Sequence, residues 1–469
     1  MLSLHDTAAG KVTEIVPRES GKVALYVCGP TVYDVPHLGH GRSALVYDVM
    51  RRYLEAKGIQ VDHVSNVTDI DDKIIQRAAE EDRSTSEVAE ENEAVWWAAM
   101  DQLGVQRPTE APHATEYVGQ MIEAIAKMVD AGFAYETQFG VYFSAEMVRD
   151  YGLLAKQSLE SLKMGARVER DPTKRSLVDF VLWKRAKPGE PAWASPWGSG
   201  RPGWHTECVV MSLDLLKDGF DIHSGGLDLQ FPHHENERAQ AAALQRPFAR
   251  HWMHHAFVEI AGEKMSKSSG NYTSLADLLE RADPRALRLL VLQSHYRSPL
   301  EVTEETISAA GVALARLDAM ARRFGITPRG MDLACDRSEH EQEGDHWAIS
   351  EELESHIASF VRRMDDDLDT PAAISGIFDL VRTANAGASG PESASASAHL
   401  AASLLASLGL FVNGGGEDVD SESADLLRRR DLARRAKDFQ LADRLRDELY
   451  DSGWVVEDLP GGSELRRRH

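Results

Sequence analysis

A β-rich run, VALYVC at residues 23–28, stops at Gly29-Pro30, and a helix-spaced pattern follows it. Leu45, Val46, Val49, Met50, Tyr53 and Leu54 recur at three- and four-residue intervals between positions 40 and 57. A second strand-like run, VDHVSNV, occupies 61–67, and another helix begins near Asp69-Ile70-Asp71-Asp72. Strands joined through a helix do not close a hairpin. They lie parallel, with a right-handed crossover. This stretch therefore predicts an α/β fold built on a parallel sheet.

The rest of the chain sorts around that unit. Helical patterns run through 86–103 and 115–131. Residues 133–200 then change character: FAYETQFGVYFS reads as a hairpin, and KRAKPGEPAWASPWGSGRPGW as a Pro/Gly/Trp-rich loop, together an insertion. The sheet pattern resumes with FDIHSGG (220–226), a helix over 235–246 and HWMHHAFVEI (251–260). Beyond about 275 the pattern is nearly all helical. An Ala/Ser-rich stretch at 387–403 and NGGGEDVDSES at 413–423 predict a flexible link. The last piece, 424–469, reads as a small unit with a basic helix and a hairpin around GWVVEDLP. A chain of 469 residues has room for two to four such domains.

Composition narrows the function classes. No run of eighteen apolar residues occurs, and the start, MLSLHDTAAGKVTEIV, has neither a basic n-region nor an apolar core. No membrane association and a cytoplasmic location are the expectations. The three cysteines, Cys28, Cys208 and Cys335, are too few and too scattered for a disulfide framework. A net charge of −23 argues against indiscriminate nucleic-acid binding. Yet residues 428–446 hold eight Arg or Lys against three Asp. That run is either a solvated helix face or a local phosphate-binding patch.

Two short patterns carry chemistry. His37-Leu38-Gly39-His40 falls where a strand gives way to a helix, and a helix start offers unpaired N–H groups and a positive dipole end. Gly39 permits close backbone approach, and two imidazoles can donate to phosphate oxygens. Alone, the tetrapeptide is more readily an incidental loop pair. Lys264-Met265-Ser266-Lys267-Ser268, followed by Ser269-Gly270-Asn271, places two lysines on a Ser/Gly-rich loop suited to a pyrophosphate leaving group. Over 200 residues separate the two patterns in one α/β sheet, and the pair is far more specific than either part. A third set offers metal ligands: Cys28, Cys208 in GWHTEC, and His233 with Glu237 in FPHHENE. The last two are four apart and share a helix face, though His234 or Glu235 could take either place.

CGPTVYDVPHLGHGR, NVTDIDDKI, GWHTEC, FPHHENE and EKMSKSSGN together resemble the signatures of class I aminoacyl-tRNA synthetases, in detail those of the cysteinyl-tRNA synthetase family. The likeness spans nearly the whole chain and weakens over 325–345 and 385–425; Leu38 stands where the family usually has Ile. It implies a Rossmann-type catalytic domain in two halves (1–112 and 203–275) around a connective-peptide insertion (113–202). A stem-contact and helical-bundle domain (276–390), a flexible linker (391–423) and an anticodon-binding domain (424–469) would follow. By the same resemblance, His37, His40, Lys264 and Lys267 are catalytic and, with Gly39, bind ATP. Gly29, Thr31, Thr68, Trp204 and Asp228 line the cysteine pocket, with Asp228 receiving the ammonium.

The resemblance further implies one zinc per chain on Cys28, Cys208, His233 and Glu237, with the substrate thiolate as a fifth ligand. A thiolate-preferring metal would separate cysteine from serine without an editing domain. ATP with magnesium, L-cysteine and tRNA(Cys) are the implied substrates, and a monomer is expected. The alternative is a tRNA-independent ligase joining cysteine to an amino sugar, as in mycothiol synthesis; that branch lacks the C-terminal unit. A tRNA-binding protein without catalysis would not need all of these side chains. A pantetheine- or nucleotide-type transferase does not fit the metal set. Cys335, Met211 and Met253 read as plain or core residues, and His254 and His255 stay unassigned.

Overall fold

The structure, a computed structural model, describes all residues except 166–172, 261–262, 265–273, 328–329, 332, 334–349, 389, 415–419, 460–461 and 468–469. Four parallel strands form the central sheet, in the order His251–His255, Ile222–Gly226, Lys22–Val27, Gln60–Ser65. Three of them are buried along most of their length, and Gln60–Ser65, at the edge, along half of it, as in a sheet covered on both faces. Leu38–Ala56 is the crossover helix between the Lys22–Val27 and Gln60–Ser65 strands, as the opening pattern predicts. It buries Leu38, Leu45, Val46, Val49, Met50, Tyr53 and Leu54. Side chains of that size each contribute roughly 1.5–3 kcal/mol when fully removed from water.

The sheet is interrupted where the sequence changes character. Ala134–Thr137, Gly140–Phe143, Phe180–Arg185 and Gly200–Pro202 form an antiparallel sheet beside the Val118–Asp130 helix, around a core of Val141, Phe143, Leu182 and Trp183. The helices Pro284–Leu292, Glu304–Phe324, Glu351–Asp365 and Thr370–Ala386 then pack into the same large core as the central sheet.

One expectation fails here. Residues 391–406, placed in a flexible linker over 391–423, form a helix, Pro391–Ala406, with Ala398, Leu400, Ala401, Ala402, Leu404 and Leu405 buried in that core. Alanine is the best helix former, and small Ala and Ser side chains let neighbouring helices approach closely, so the same composition serves a packed helix. Ser421–Arg435, Phe439–Asp451 and the hairpin Trp454–Leu459/Gly462–Arg467 complete the chain around Leu449, Trp454 and Leu465. Cys335 lies outside the described residues.

Candidate active site

The site lies at the C-terminal ends of the parallel strands, where an open α/β sheet leaves its crevice. Cys28 directly follows the Lys22–Val27 strand and extends the ladder, its N–H donating to the Ser224 carbonyl at 3.1 Å. Gly29 then turns hard against the neighbouring strand. A Cβ there would sit 1.6 Å from the Asn66 carbonyl oxygen, so no other residue fits without moving backbone. The Gly29 N–H donates to Asn66 Oδ1 at 2.9 Å, and Thr31 bridges to Thr68. Cys208 comes from the Trp204–Leu215 helix, and Glu237 from the first turn of Glu235–Ala243, with His233 just ahead of it.

These four converge. Their ligand atoms all lie within 4.8 Å of one another. Cys28 Sγ is 3.7 Å from Cys208 Sγ, Cys208 Sγ is 3.5 Å from His233 Nε2, and His233 Nε2 is 2.9 Å from Glu237 Oε1. Both cysteines are free thiols. Burial opposes ionisation of Cys208, but contacts with Cys28 and His233 outweigh it and bring the thiol down to about 6. His233 is driven the other way, to about 10, because Glu237 and Cys208 outweigh the cost of burying its charge. Glu237, also buried, is held at about 2 by His223 and His233. Two sulfurs, an imidazole and a carboxylate, buried except for the half-buried Cys28, are a donor set that suits zinc.

The alternatives left open within FPHHENE stand in different surroundings. Glu235 turns away, accepting from the Leu154 N–H at 2.7 Å and pairing with Arg238 at 2.9 Å. His234 stays close, its Nε2 3.2 Å from Cys28 Sγ, and belongs to a second cluster with Cys28, His223 and Glu237. That set holds one thiol instead of two and is the poorer soft-metal site. Its histidines are better read as orienting groups. His223 Nε2 meets Glu237 Oε2 at 2.6 Å, His205 Nδ1 meets His233 Nδ1 at 2.8 Å, and His254 links His234 to Thr7. Partners of this kind fix ligand rings in place. Motif spacing missed His205 and His223, although each lies inside a stretch already singled out, GWHTEC and FDIHSGG. His255 contacts the Tyr47 hydroxyl at 3.1 Å, and Met211 and Met253 are core.

Of the expected pocket residues, Gly29 follows Cys28 in the chain and Trp204 touches the cluster itself. Trp204 stacks on His233, centroids 3.9 Å apart, and keeps 36% of its surface exposed. The buried Thr68 hydroxyl donates to Glu207 Oε2 at 2.7 Å. Asp228 is exposed in the turn after Ile222–Gly226. His37 caps the Leu38–Ala56 helix: its Nδ1 accepts the His40 N–H at 3.3 Å, while His40 Nδ1 accepts the His37 N–H at 3.2 Å. The rings stack 3.7 Å apart. With both Nδ1 atoms accepting, each ring carries its proton on Nε2, and burial keeps His40 well below its ordinary pKa. The pair offers neutral N–H donors beside a helix start. Lys264 lies on Glu263–Lys264, a short strand paired with Val258–Ile260. Lys267 and the rest of the lysine loop lie outside the described residues.

The basic C-terminal run splits in two. Arg428, Arg429, Arg434, Arg435, Lys437, Arg444 and Arg446 are exposed, beside Phe439 at 62% exposure. Arg430 is buried and bonds Asp431 and Ser463, a structural role.

A family described as tRNA synthetases class I (C) catalytic domain matches residues 14–312. A DALR domain matches 359–412, and a cysteinyl-tRNA ligase anticodon binding domain matches 416–466. Cysteine–tRNA ligase of Thermotoga maritima is 43% identical over 470 residues, covering 99% of both chains; that of Carboxydothermus hydrogenoformans is 40% identical, covering 99% of this chain and all of its own. The chain belongs to the cysteine–tRNA ligase family. A methionyl-tRNA synthetase of Mycobacterium tuberculosis shares the fold, with TM-score 0.58 at 15% identity over 82% of this chain and 88% of its own. Because the family's anticodon-binding domain is present, the amino-sugar ligase is not favoured. Among the described residues no helix is long and apolar enough to cross a membrane.

Proposed function

We propose that the protein activates L-cysteine with ATP and transfers it to tRNA(Cys), with a zinc ion on Cys28, Cys208, His233 and Glu237 selecting the thiol. The observation that carries this is the four-residue cluster at the strand ends, next to the helix start capped by His37 and His40. Zinc, when bound, supplies a soft acid that takes sulfur in preference to a hydroxyl oxygen. Shape alone would separate cysteine from serine weakly.

The chain's own side chains do the rest. Asp228 receives the substrate ammonium, Trp204 closes over the side chain, and Gly29, Thr31 and Thr68 form the floor. The cysteine carboxylate attacks the ATP α-phosphorus as the bond to pyrophosphate breaks, leaving cysteinyl-adenylate. His37 and His40 donate Nε2–H to phosphate oxygens, while Gly39 keeps the approach open. Lys264 and Lys267 neutralise the departing pyrophosphate, with magnesium on the nucleotide. A ribose hydroxyl at the tRNA end then attacks the adenylate carbonyl and expels AMP. Catalysis here is positioning plus electrostatics.

The domain divisions expected from sequence place the anticodon contacts in 424–469, where the exposed arginines and Phe439 combine phosphate attraction with a stacking surface. A cytoplasmic monomer suits this reading. Metal analysis and cysteine-dependent pyrophosphate exchange, run beside serine, test it. One zinc per chain with exchange for cysteine alone is expected. Full zinc in Cys28→Ser, Cys208→Ser and His233→Ala alike would overturn the site.

A further inference from the structure

Arg42 is 2% exposed, two residues beyond His40 on the same helix. Among the described residues no carboxylate forms an ion pair with it. Its guanidinium donates instead to four backbone carbonyls on two separate segments: Phe257 at 2.5 Å, His295 at 3.4 Å, Tyr296 at 3.2 Å, and Ser298. Phe257 immediately precedes the Val258–Ile260 strand, and residues 295–298 precede Leu300–Glu301. Those two strands pair in parallel, and Val258–Ile260 pairs on its other side with Glu263–Lys264.

Arg42 thus bonds the helix that begins at the paired histidines to the small sheet that carries Lys264. The strands do not depend on it for their own pairing. Phe257 O already accepts the Leu300 N–H at 3.0 Å, and Tyr296 O accepts the Ala256 N–H at 2.9 Å. Burying a cation among carbonyls is costly, and burial lowers the Arg42 pKa to about 10. An apolar side chain would fill the space without that cost. What the guanidinium adds is a planar fork able to reach several carbonyls at once. The same helix start also holds the far side of the lysine loop: Leu275 N–H donates to Pro36 O at 3.0 Å, and His37 bridges to Ser274. Gly41 leaves room for this, since a Cβ there would lie 3.1 Å from Leu275 Cδ1.

We propose that Arg42 is a positioning residue for adenylate formation, fixing the sheet that bears Lys264 relative to the helix start that bears His37 and His40. This rests on the reading of those residues as phosphate-binding. A displacement near 1 Å can cost on the order of 100-fold in rate. The test uses the full-length chain with Arg42→Lys, Lys264→Ala and the double variant, measuring cysteine-dependent pyrophosphate exchange, the KM for cysteine, zinc content and Tm. Arg42→Lys is expected to lower kcat by about 10- to 100-fold, with cysteine KM and zinc content within about twofold. Added to Lys264→Ala, it should lower kcat by no more than about twofold further, because both changes act through one element.

Arg42→Met fills similar volume and serves under the same criteria if the lysine variant folds poorly. Undiminished kcat in Arg42→Lys, full additivity with Lys264→Ala, or parallel loss of zinc and cysteine affinity overturns the proposal alone. Undiminished exchange in Lys264→Ala overturns the phosphate reading, and the proposal with it.

Discussion

The cysteine cluster and the C-terminal unit both depend on charge, and they hold it in opposite ways. Around Cys28 and Cys208 the ionisable groups are buried, paired and backed by further histidines. In the C-terminal unit a core centred on Leu449, Trp454 and Leu465 supports arginines that stand in water. Desolvated groups interact strongly, and one misplaced atom matters; solvated charges are screened within about 10 Å at moderate salt. The first arrangement suits discrimination between substrates one atom apart. The second suits a large polyanion whose contacts are many and individually weak.

The sharpest way to break that contrast is Cys208→Ser. A hydroxyl is a poor soft-metal ligand, so zinc should fall from one per chain towards none, and cysteine activation by about 1,000-fold or more, as for loss of a key catalytic group. Zinc retained at full level would show that the buried cluster does not hold the metal. Lys267→Ala ranks next. Pyrophosphate exchange should slow by roughly 100- to 1,000-fold while the cysteine KM stays within about twofold, since the charge meets the leaving group mainly in the transition state. A rise in cysteine KM with unchanged turnover would contradict this.

Buried and exposed ion pairs should also part company in stability. Asp48 pairs with Arg288, both 1% exposed, and with Arg52 at 2.8 Å. Burial opposes its ionisation, but those cations and the Gln106 N–H outweigh it and hold its pKa below the ordinary carboxylate value. Its stabilisation is therefore complete above that ordinary value and is lost as pH falls through the depressed folded one. Asp48→Asn should cost about 3–5 kcal/mol near pH 7, and the gap from the parent should close under acid conditions. The exposed Arg428–Asp425 pair should show no such dependence when Arg428 becomes Ala. Urea unfolding across pH distinguishes the two; equal responses would erase the contrast.

The smallest effect comes from removing the exposed charges altogether. A chain ending after about residue 415 should make adenylate at the parental rate, yet need roughly tenfold more tRNA for charging, with a flatter salt dependence. Equal charging by both chains would return residues 428–446 to an ordinary solvated face and revive the tRNA-independent ligase.

What the sequence determined by itself was local. The strand ending at Cys28, the helix opening at His37, and the four-residue spacing of His233 and Glu237 follow from periodicity and turn chemistry over a few residues, and they appear where the pattern puts them. Tertiary structure decided which distant groups meet. Cys28 and Cys208 are 180 positions apart, and only the parallel sheet with its insertion brings their sulfurs to 3.7 Å. Packing turned Glu235 toward Leu154 and Arg238, leaving Glu237 to the cluster, and set His205 behind His233 and His223 behind Glu237. It also buried Arg430 among arginines that share its composition but not its surroundings, and made a packed helix of an Ala/Ser-rich stretch. The reason is one of range: backbone preferences act within a turn, while burial and pairing depend on neighbours that the local sequence does not contain.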